Sequence, residues 1–524
     1  MARPKVLWCG SRHGRDSALE FANRDLQLEI VEAEATDVQL RASRGIVYAF
    51  GNGTVRDVLR IAERTAKIAI DFGLRVFVLA SDDEVQMHAS REFLRLLSPT
   101  RGTTPDAELI LEALERESDF HRRTGDAAAV PDHEIAQWMV AKNPLSAPRP
   151  NLIIEFDQDG SSVPELGATD TLLLQRAFAD CTKLKIVELG GGKTAETFMV
   201  EATFADSRAG PRPLPFFAKL GSRKKITEEV DAYRHYATYH IPFHLRPNLD
   251  PARCISALER AILVGNFVER AEPLWDVAVK GTAHPAISSL FDSTLAGWRA
   301  QGFQAESRSR VSGSVASGLG QRIFDHEKVK PDHLAAAQER GMTGSPKELW
   351  ESLLERHKQC YLRAPMHGDL HPGNVFVRGA DAILIDLASI QWGPLAGDLA
   401  CLEVAFLFEA RLGDELLPDD AWIAAINEFY VSDAFLRLPA PQSGLDSWSA
   451  RLNCARQVRM IALPTQLCDT EYMSAVAVYL LRRSMHPADD ECDDLRRTNA
   501  LRRSYALVIA ERLVQHLESQ RDDE

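Results

Sequence analysis

Asp369, Asn374 and Asp386 are the residues whose types and spacing first point to chemistry. They stand in Pro365–Val377 (PMHGDLHPGNVFV) and Ala382–Ile390 (AILIDLASI), which are followed by Gly397-Asp398-Leu399-Ala400. Phosphoryl transfer to an alcohol needs one carboxylate to orient the hydroxyl and accept its proton. It also needs a second carboxylate and an amide oxygen to hold magnesium on the triphosphate. Asp369 and Asn374 place a base and a metal ligand on one short loop, where Gly368, Pro372 and Gly373 permit tight turns. Asp386 ends a β-branched run after a turn at Gly379–Asp381, so a strand carries it back toward that loop.

The stretch His367–Asn374 (HGDLHPGN) resembles the catalytic loop of the aminoglycoside phosphotransferase and choline kinase superfamily, the small-molecule relatives of the protein kinases. The resemblance implies an α+β bilobal protein-kinase-like fold that uses ATP and magnesium. Asp369 would be the catalytic base, and Asn374 and Asp386 the magnesium ligands. Asp398 matches the buried aspartate that braces the loop, and His367 supports the loop rather than doing chemistry. His371 stands where Ser/Thr protein kinases usually carry lysine, which favours a small-molecule type of kinase. Leu387-Ala388-Ser389 depart from the glycine or charged residues usual after the metal aspartate, which bears on the activation segment and not on metal binding. The acceptor would be a hydroxyl on a small molecule or a protein.

Such a fold requires an N-lobe upstream. Lys185–Gly192 (KIVELGGG) reads as a strand entering a glycine run, and Thr197–Thr203 as its return. Backbone amides of Gly190, Gly191 and Gly192 would lie over the phosphates. Gly192-Lys193-Thr194 is not a Walker A end, because its first glycine would fall on Val187 and the context is strand–glycine–strand. Pro215–Leu220 (PFFAKL) is an apolar strand whose Lys219 resembles the kinase lysine on the α- and β-phosphates. Its partner is expected on the next helix: Glu229, with Glu228 as runner-up. Ala261–Val268 (AILVGNFV) matches the strand entering the hinge, where backbone groups from Asn266 to Val268 would meet adenine. Downstream, Trp275 and Trp298 read as core, and Ser307–Gly320 (SRSRVSGSVASGLG) as a mobile loop. Tyr472–Arg483 and Thr498–Leu517 have helical patterns.

The first 125 or so residues alternate strand-like runs (Lys5–Gly10, Leu28–Ala33, Gly45–Phe50, Arg75–Ala80) with a helical pattern over Thr54–Gly73. That alternation predicts a parallel α/β doubly wound domain, resembling a response-regulator receiver in topology. The third strand runs into Gly51-Asn52-Gly53, without the acceptor aspartate of a receiver. A partner-binding module is therefore expected rather than a phosphoacceptor. The domain reading is 1–125 receiver-like, 126–180 linker and pre-kinase segment, 181–270 N-lobe, and 271–524 helical C-lobe with an insert.

The chain has 524 residues, with 45% hydrophobic, 26% charged and a formal net charge of −14. That acidic balance argues against a nucleic-acid coat protein. Eight cysteines form no CxxC pair, which suits the thiols of a reducing, cytoplasmic compartment. No uninterrupted apolar run is long enough for a membrane span. The domain order also resembles the kinase-like ternary complex associated domain proteins of bacterial signalling or conflict systems. Two functions remain open at this stage: an active kinase, or a nucleotide-binding pseudokinase scaffold acting through protein partners.

Overall fold

The computed structural model describes residues 5–10, 29–32, 38–39, 43–49, 75–80, 121–124, 148–157, 166–189, 195–205, 215–250, 253–257, 260–303, 309–355, 359–411, 414, 418–438, 440–442, 444, 446–487 and 492–522. The chain divides into two compact units: Met1–Asp231 with Asn248–Phe267, and Ala232–Pro247 with Val268–Glu524.

The first unit opens with β1 (Lys5–Gly10), β2 (Glu29–Glu32), β3 (Ser43–Ala49), β4 (Arg75–Ala80) and β5 (His121–Thr124). All pair in parallel, in the order β2-β1-β3-β4-β5. That is the strand order of flavodoxin-like doubly wound sheets. Leu7, Trp8 and Cys9 are buried in succession, so both faces of β1 are covered. β5 lies at the very end of the stretch read as the receiver-like domain, beyond its four strand-like runs. Its four residues, HRRT, hold no apolar run that could reveal a strand. The helix expected over Thr54–Gly73 and the turn at Gly51–Gly53 lie outside the described residues.

A second sheet follows: β6 (Ile153–Phe156), helix α1 (Ala168–Ala177), β7 (Cys181–Glu188), β8 (Ala195–Phe204), β9 (Phe216–Ser222), helix α2 (Arg223–Ala232), β10 (Ile255–Ala257) and β11 (Arg260–Asn266). Its order is β10-β11-β9-β8-β7-β6, with β6 parallel to β7 and every other pair antiparallel. The stretch read as linker and pre-kinase segment therefore contributes a strand and a helix to this sheet. Period-two alternation sets its faces. Leu184, Ile186, Phe198, Val200, Ala218, Leu220, Ile262 and Val264 share one core with Leu173, Leu174 and Ala177 of α1. Ala261, Leu263 and Phe217 meet Ile226 and Val230 of α2 on the other face. Gly221 lies on that second face too. A Cβ there would stand 3.1 Å from Ala195 Cβ and 3.3 Å from Ile226 Cγ1, so glycine lets α2 begin against the sheet.

The second unit contains β12 (Glu272–Pro273), α3 (Ala296–Phe303), β13 (Arg310–Gly313), α4 (Val315–Leu319), β14 (Gln359–Met366), β15 (Val375–Arg378), β16 (Asp381–Leu384) and β17 (Gln391–Pro394). Then come α5 (Gly397–Phe408), α6 (Asp419–Phe429), α7 (Ser447–Ala462), α8 (Glu471–Ser484) and α9 (Asp493–Asp522). Two three-stranded sheets, β12-β15-β16 and β13-β14-β17, flank the loop 367–374. Every residue of α5 is buried, and it packs against α7, α8 and α9. Its apolar run has no polar stripe, as a central helix requires.

The loop expected over Ser307–Gly320 is instead ordered structure from Ser309 onward. β13 pairs with β14, and Ser314 Oγ caps α4 by accepting from Ser317 N at 3.2 Å while donating to Leu353 O at 2.6 Å. A Cβ at Gly318 would run into the Tyr361 ring. Small residues serve close packing here, not flexibility. Among the described residues no helix is long and apolar enough to cross a membrane.

Candidate active site

The loop 367–374 is held from below by α5. Asp398, in the first turn of that helix, accepts from His367 N at 2.7 Å and Gly368 N at 3.0 Å. Burial lifts the Asp398 carboxyl above its ordinary value, against those two hydrogen bonds. His367 is fully buried, and its Nε2 lies 2.9 Å from Ile385 O, so the ring bridges the loop to the hairpin exit. Gly368 has φ +77°, and a Cβ there would collide with Ser389 O. Only glycine allows that approach.

Three of the expected site residues come together on this frame. Asn374 Nδ2 donates to Asp369 O at 3.0 Å. The Asn374 carbonyl accepts from Ile385 N at 3.0 Å, which sets Asp386 beside it at the end of the β15–β16 hairpin. Asp386 is in the left-handed region, at φ 56° and ψ 70°. Asp tolerates that region better than most residues, and such conformations concentrate at functional sites.

Arg482, in the last turn of α8, is a residue that the sequence reading missed. It donates to Gly368 O at 2.9 Å and to Asp369 Oδ1 at 2.8 Å. Burial alone would raise the Asp369 carboxyl; Arg482, foremost among its neighbours, outweighs this and holds it below the ordinary value. Arg482 is separated from Asp369 by 113 positions, and nothing in LLRRS marks it as a loop partner.

In the first unit, β9 aims Lys219 at α2. Its Nζ lies 2.8 Å from Glu229 Oε2, with side chains 13% and 8% exposed. Ile226, Glu229 and Val230 form the buried face of α2 at helical spacing, whereas Glu228 is exposed and stands 4.0 Å from Lys224. Asn266 N donates to Asn248 O at 3.0 Å and Phe267 N to Pro215 O at 3.1 Å, so these two hinge amides are already engaged. Val268 begins the second unit. Gly190, Gly191 and Gly192 lie outside the described residues.

Trp275 and Trp298 are both buried, as core residues. Trp298 Nε1 donates to Tyr236 O at 2.8 Å. Trp275 Nε1 donates to Asp414 Oδ1 at 3.0 Å, and the guanidinium groups of Arg411 and Arg451 lie 4.5 and 4.3 Å from its ring centre. These belong to a basic cluster at the C-terminal end of α5. Arg451 donates to Phe406 O, Arg503 to Phe408 O, and both Arg451 and Arg502 to Glu409 O. Cations suit these last carbonyls of a helix.

Asp414, whose Oδ2 lies 3.5 Å from Arg451 Nη1, is one carboxylate of that cluster, and Glu409 is the other. Burial would push it up, but Arg483 and Arg411 outweigh burial and hold it at about 2. A folded-state value below the ordinary one contributes stability that is complete above about pH 4.5 and is lost as pH falls toward 2. The melting-temperature gap between wild type and Glu409→Gln is therefore expected to be widest above about pH 4.5 and to narrow steadily toward pH 3. Thermal melts across that range check it; a gap that does not change with pH would mean Glu409 is not held as a depressed carboxylate.

A family model matches residues 275–458, which include the loop, the hairpin and α5: Ternary complex associated domain 9. The chain carries this domain over that segment. Arg482 and Arg483 lie beyond the end of the domain 9 segment. No curated protein matches the chain. Among solved structures it is similar to the amicoumacin kinase hAmiN, in complex with AMP-PNP, calcium and amicoumacin, at 12% identity over 62% of this chain and 87% of that one, TM-score 0.33. It is likewise similar to the choline kinase LicA of Streptococcus pneumoniae, at 12% identity over 62% and 92%, TM-score 0.33. A third is an aminoglycoside phosphotransferase of Streptomyces rimosus, at 17% identity over 55% and 96%, TM-score 0.28.

Proposed function

We propose that this protein is an ATP- and magnesium-dependent phosphotransferase that moves the γ-phosphate to a hydroxyl acceptor. The observation that carries the reading is the pair of hydrogen bonds that ties Asn374 to Asp369 and to Ile385, the residue before Asp386, within one braced loop and hairpin. Asp369 orients the acceptor hydroxyl and takes its proton. Its Oδ1 is held by Arg482, so Oδ2 is the oxygen offered to the hydroxyl. Lys219, fixed by Glu229, grips the α- and β-phosphates, and the Val268 amide is the hinge donor that meets adenine beside Asn266.

The donor set fits magnesium. The Asn374 amide nitrogen is engaged by Asp369 O, which leaves its oxygen as the ligating atom, and Asp386 supplies a carboxylate. Among the described residues no group of three or more His, Cys, Asp or Glu side chains could hold a metal. Two protein oxygens completed by phosphates and water is the usual manner of magnesium in nucleotide sites. The bound ion would neutralise charge on the phosphates.

The acceptor is a hydroxyl-bearing small molecule or a protein, in a bacterial regulatory or conflict-system setting. The N-terminal parallel sheet, with its receiver-like strand order, serves as the docking module for a protein partner. Asp386→Ala is expected to weaken Mg·ATP binding at least tenfold by calorimetric titration. Equal affinity in wild type and variant would overturn the metal assignment.

A further inference from the structure

Positive charge accumulates around the catalytic loop, and its layers differ in what they do. In the deeper layer, Arg451, Arg502 and Arg503 are engaged by the terminal carbonyls of α5. The outer layer is Arg411, Arg482 and Arg483, drawn from the segment after α5 and from the end of α8. A Cβ on Gly373 of the loop would lie 3.0 Å from Arg411 Nη2, so this guanidinium rests directly against the loop. Arg482 holds Asp369. Arg483 approaches Glu409 Oε2 at 3.4 Å, and Arg411 reaches Glu409 Oε1 at the same distance. One carboxylate thus faces two arginines without a short contact to either.

This outer layer opens to solvent. Side-chain exposures are 35% for Asp369, 30% for Arg411, 20% for Glu409, 19% for Arg482 and 12% for Arg483. Three guanidinium groups stand against two carboxylates. Among the described residues, the Arg411 terminal nitrogens have no hydrogen-bond acceptor, whereas the Arg483 terminal nitrogens face His486 Nδ1 and Glu409 Oε2, both at 3.4 Å. Asp369 is also the group that engages the acceptor hydroxyl, and Asp414 is taken up by Trp275 Nε1, Arg411 N and Arg451 of the deeper layer, which leaves Glu409 opposite the Arg411 and Arg483 side chains. A guanidinium such as that of Arg411, with its terminal nitrogens unmatched and a second arginine beside it, is the chemistry that recognises carboxylate or phosphate oxygens.

We propose that the acceptor is an anion, a hydroxyl compound that also bears a carboxylate or phosphate group, and that Arg411 with Arg483 seats this group beside Asp369. A cationic acceptor would meet like charge at the same place. The assignment rests on the phosphotransferase reading above, since it names the substrate class of that same site.

The test uses the full chain saturated with Mg·AMP-PNP, with inorganic phosphate as probe and choline chloride as the cationic control, at fixed ionic strength. Calorimetry should show phosphate binding to the nucleotide-loaded protein and no binding of choline. Arg411→Ala should weaken phosphate at least tenfold, Arg411→Glu should abolish it, and Arg411→Lys should keep most of it. AMP-PNP affinity should stay unchanged in all three. Circular dichroism melts show which variants are folded, and the mild Arg411→Lys and Arg411→Ala pair decides if the charge reversal is not. Phosphate affinity that is equal in wild type and Arg411→Ala overturns the proposal, as does an absence of phosphate binding. So does an Arg411→Ala variant that loses AMP-PNP affinity instead, because the arginine would then serve the nucleotide. If wild type fails to bind AMP-PNP at all, the phosphotransferase reading fails. The phosphate titration without nucleotide then still supports or refutes the anion site by itself.

Discussion

Asp369→Asn is expected to keep ATP affinity and lose phosphate transfer by about a hundredfold to ten-thousandfold, the usual worth of a positioned general base. That is about 3–5 kcal/mol of barrier. The loop should stay folded in the variant, because its main supports do not involve the substituted atoms. Asp398 binds the amides of His367 and Gly368, His367 binds Ile385 O, and Asn374 binds the Asp369 carbonyl. Arg482 keeps its hydrogen bond to Gly368 O and loses only a charged partner at Oδ1. Lys219→Ala should differ in kind. It removes a phosphate contact and leaves the buried Glu229 carboxylate without its cation, so ATP affinity and turnover should fall together. Nucleotide affinity by titration and transfer by radiolabel, measured on both variants, separate the two roles. An Asp369→Asn protein that transfers at the wild-type rate would make the loop structural and favour a nucleotide-binding scaffold.

The largest expected stability effect lies away from the loop. Arg459 of α7 and Glu403 of α5 form a fully buried bidentate pair, at 2.7 and 3.0 Å. Tyr472 of α8 donates to Glu403 Oε2 at 2.9 Å, and Arg459 donates to Phe429 O of α6 at 3.0 Å. The guanidinium also lies over the rings of Phe429 and Phe435, at 4.2 and 4.4 Å. Four helices, the one that carries Asp398 and three around it, thus meet at a single charge pair. Arg459→Met should destabilise the protein by about 3–5 kcal/mol, because it strands a carboxylate in the core. Replacing the pair together with the hydroxyl, as Glu403→Leu, Arg459→Met and Tyr472→Phe, should recover a large part of that loss, since apolar groups of similar volume leave no buried charge. Urea unfolding midpoints measure both. A loss below about 1 kcal/mol for Arg459→Met would place the pair in contact with water, where ion pairs are weak.

How much could be read without coordinates follows from the range of each interaction. HGDLHPGN and the following hairpin are local: turns and one short strand pair bring Asp369, Asn374 and Asp386 together within a contiguous stretch. Spacing alone therefore marks them as a set. The Lys219–Glu229 pair is nearly as local, and Glu229 rather than Glu228 follows from which face of α2 is apolar. The strands of the first sheet were legible where they are apolar, and β5 was not, because its pairing with β4 needs no apolar run of its own. Composition misled at 309–320, where serine and glycine pack against Tyr361 and Leu353, residues far along the chain.

What only the tertiary structure decided is the electrostatic setting of the loop. Asp369 meets Arg482 because α8 packs beside α5, and Arg411, three residues past the end of α5, reaches Gly373. Arginines are common, and their long side chains take their role from whatever lies at the tip. A sequence therefore names them without saying which will face a catalytic carboxylate, which will cap a helix, and which will meet a ligand. The residues that would perform transfer were written in one short motif; the charges that would select what is transferred to were assembled by helix packing.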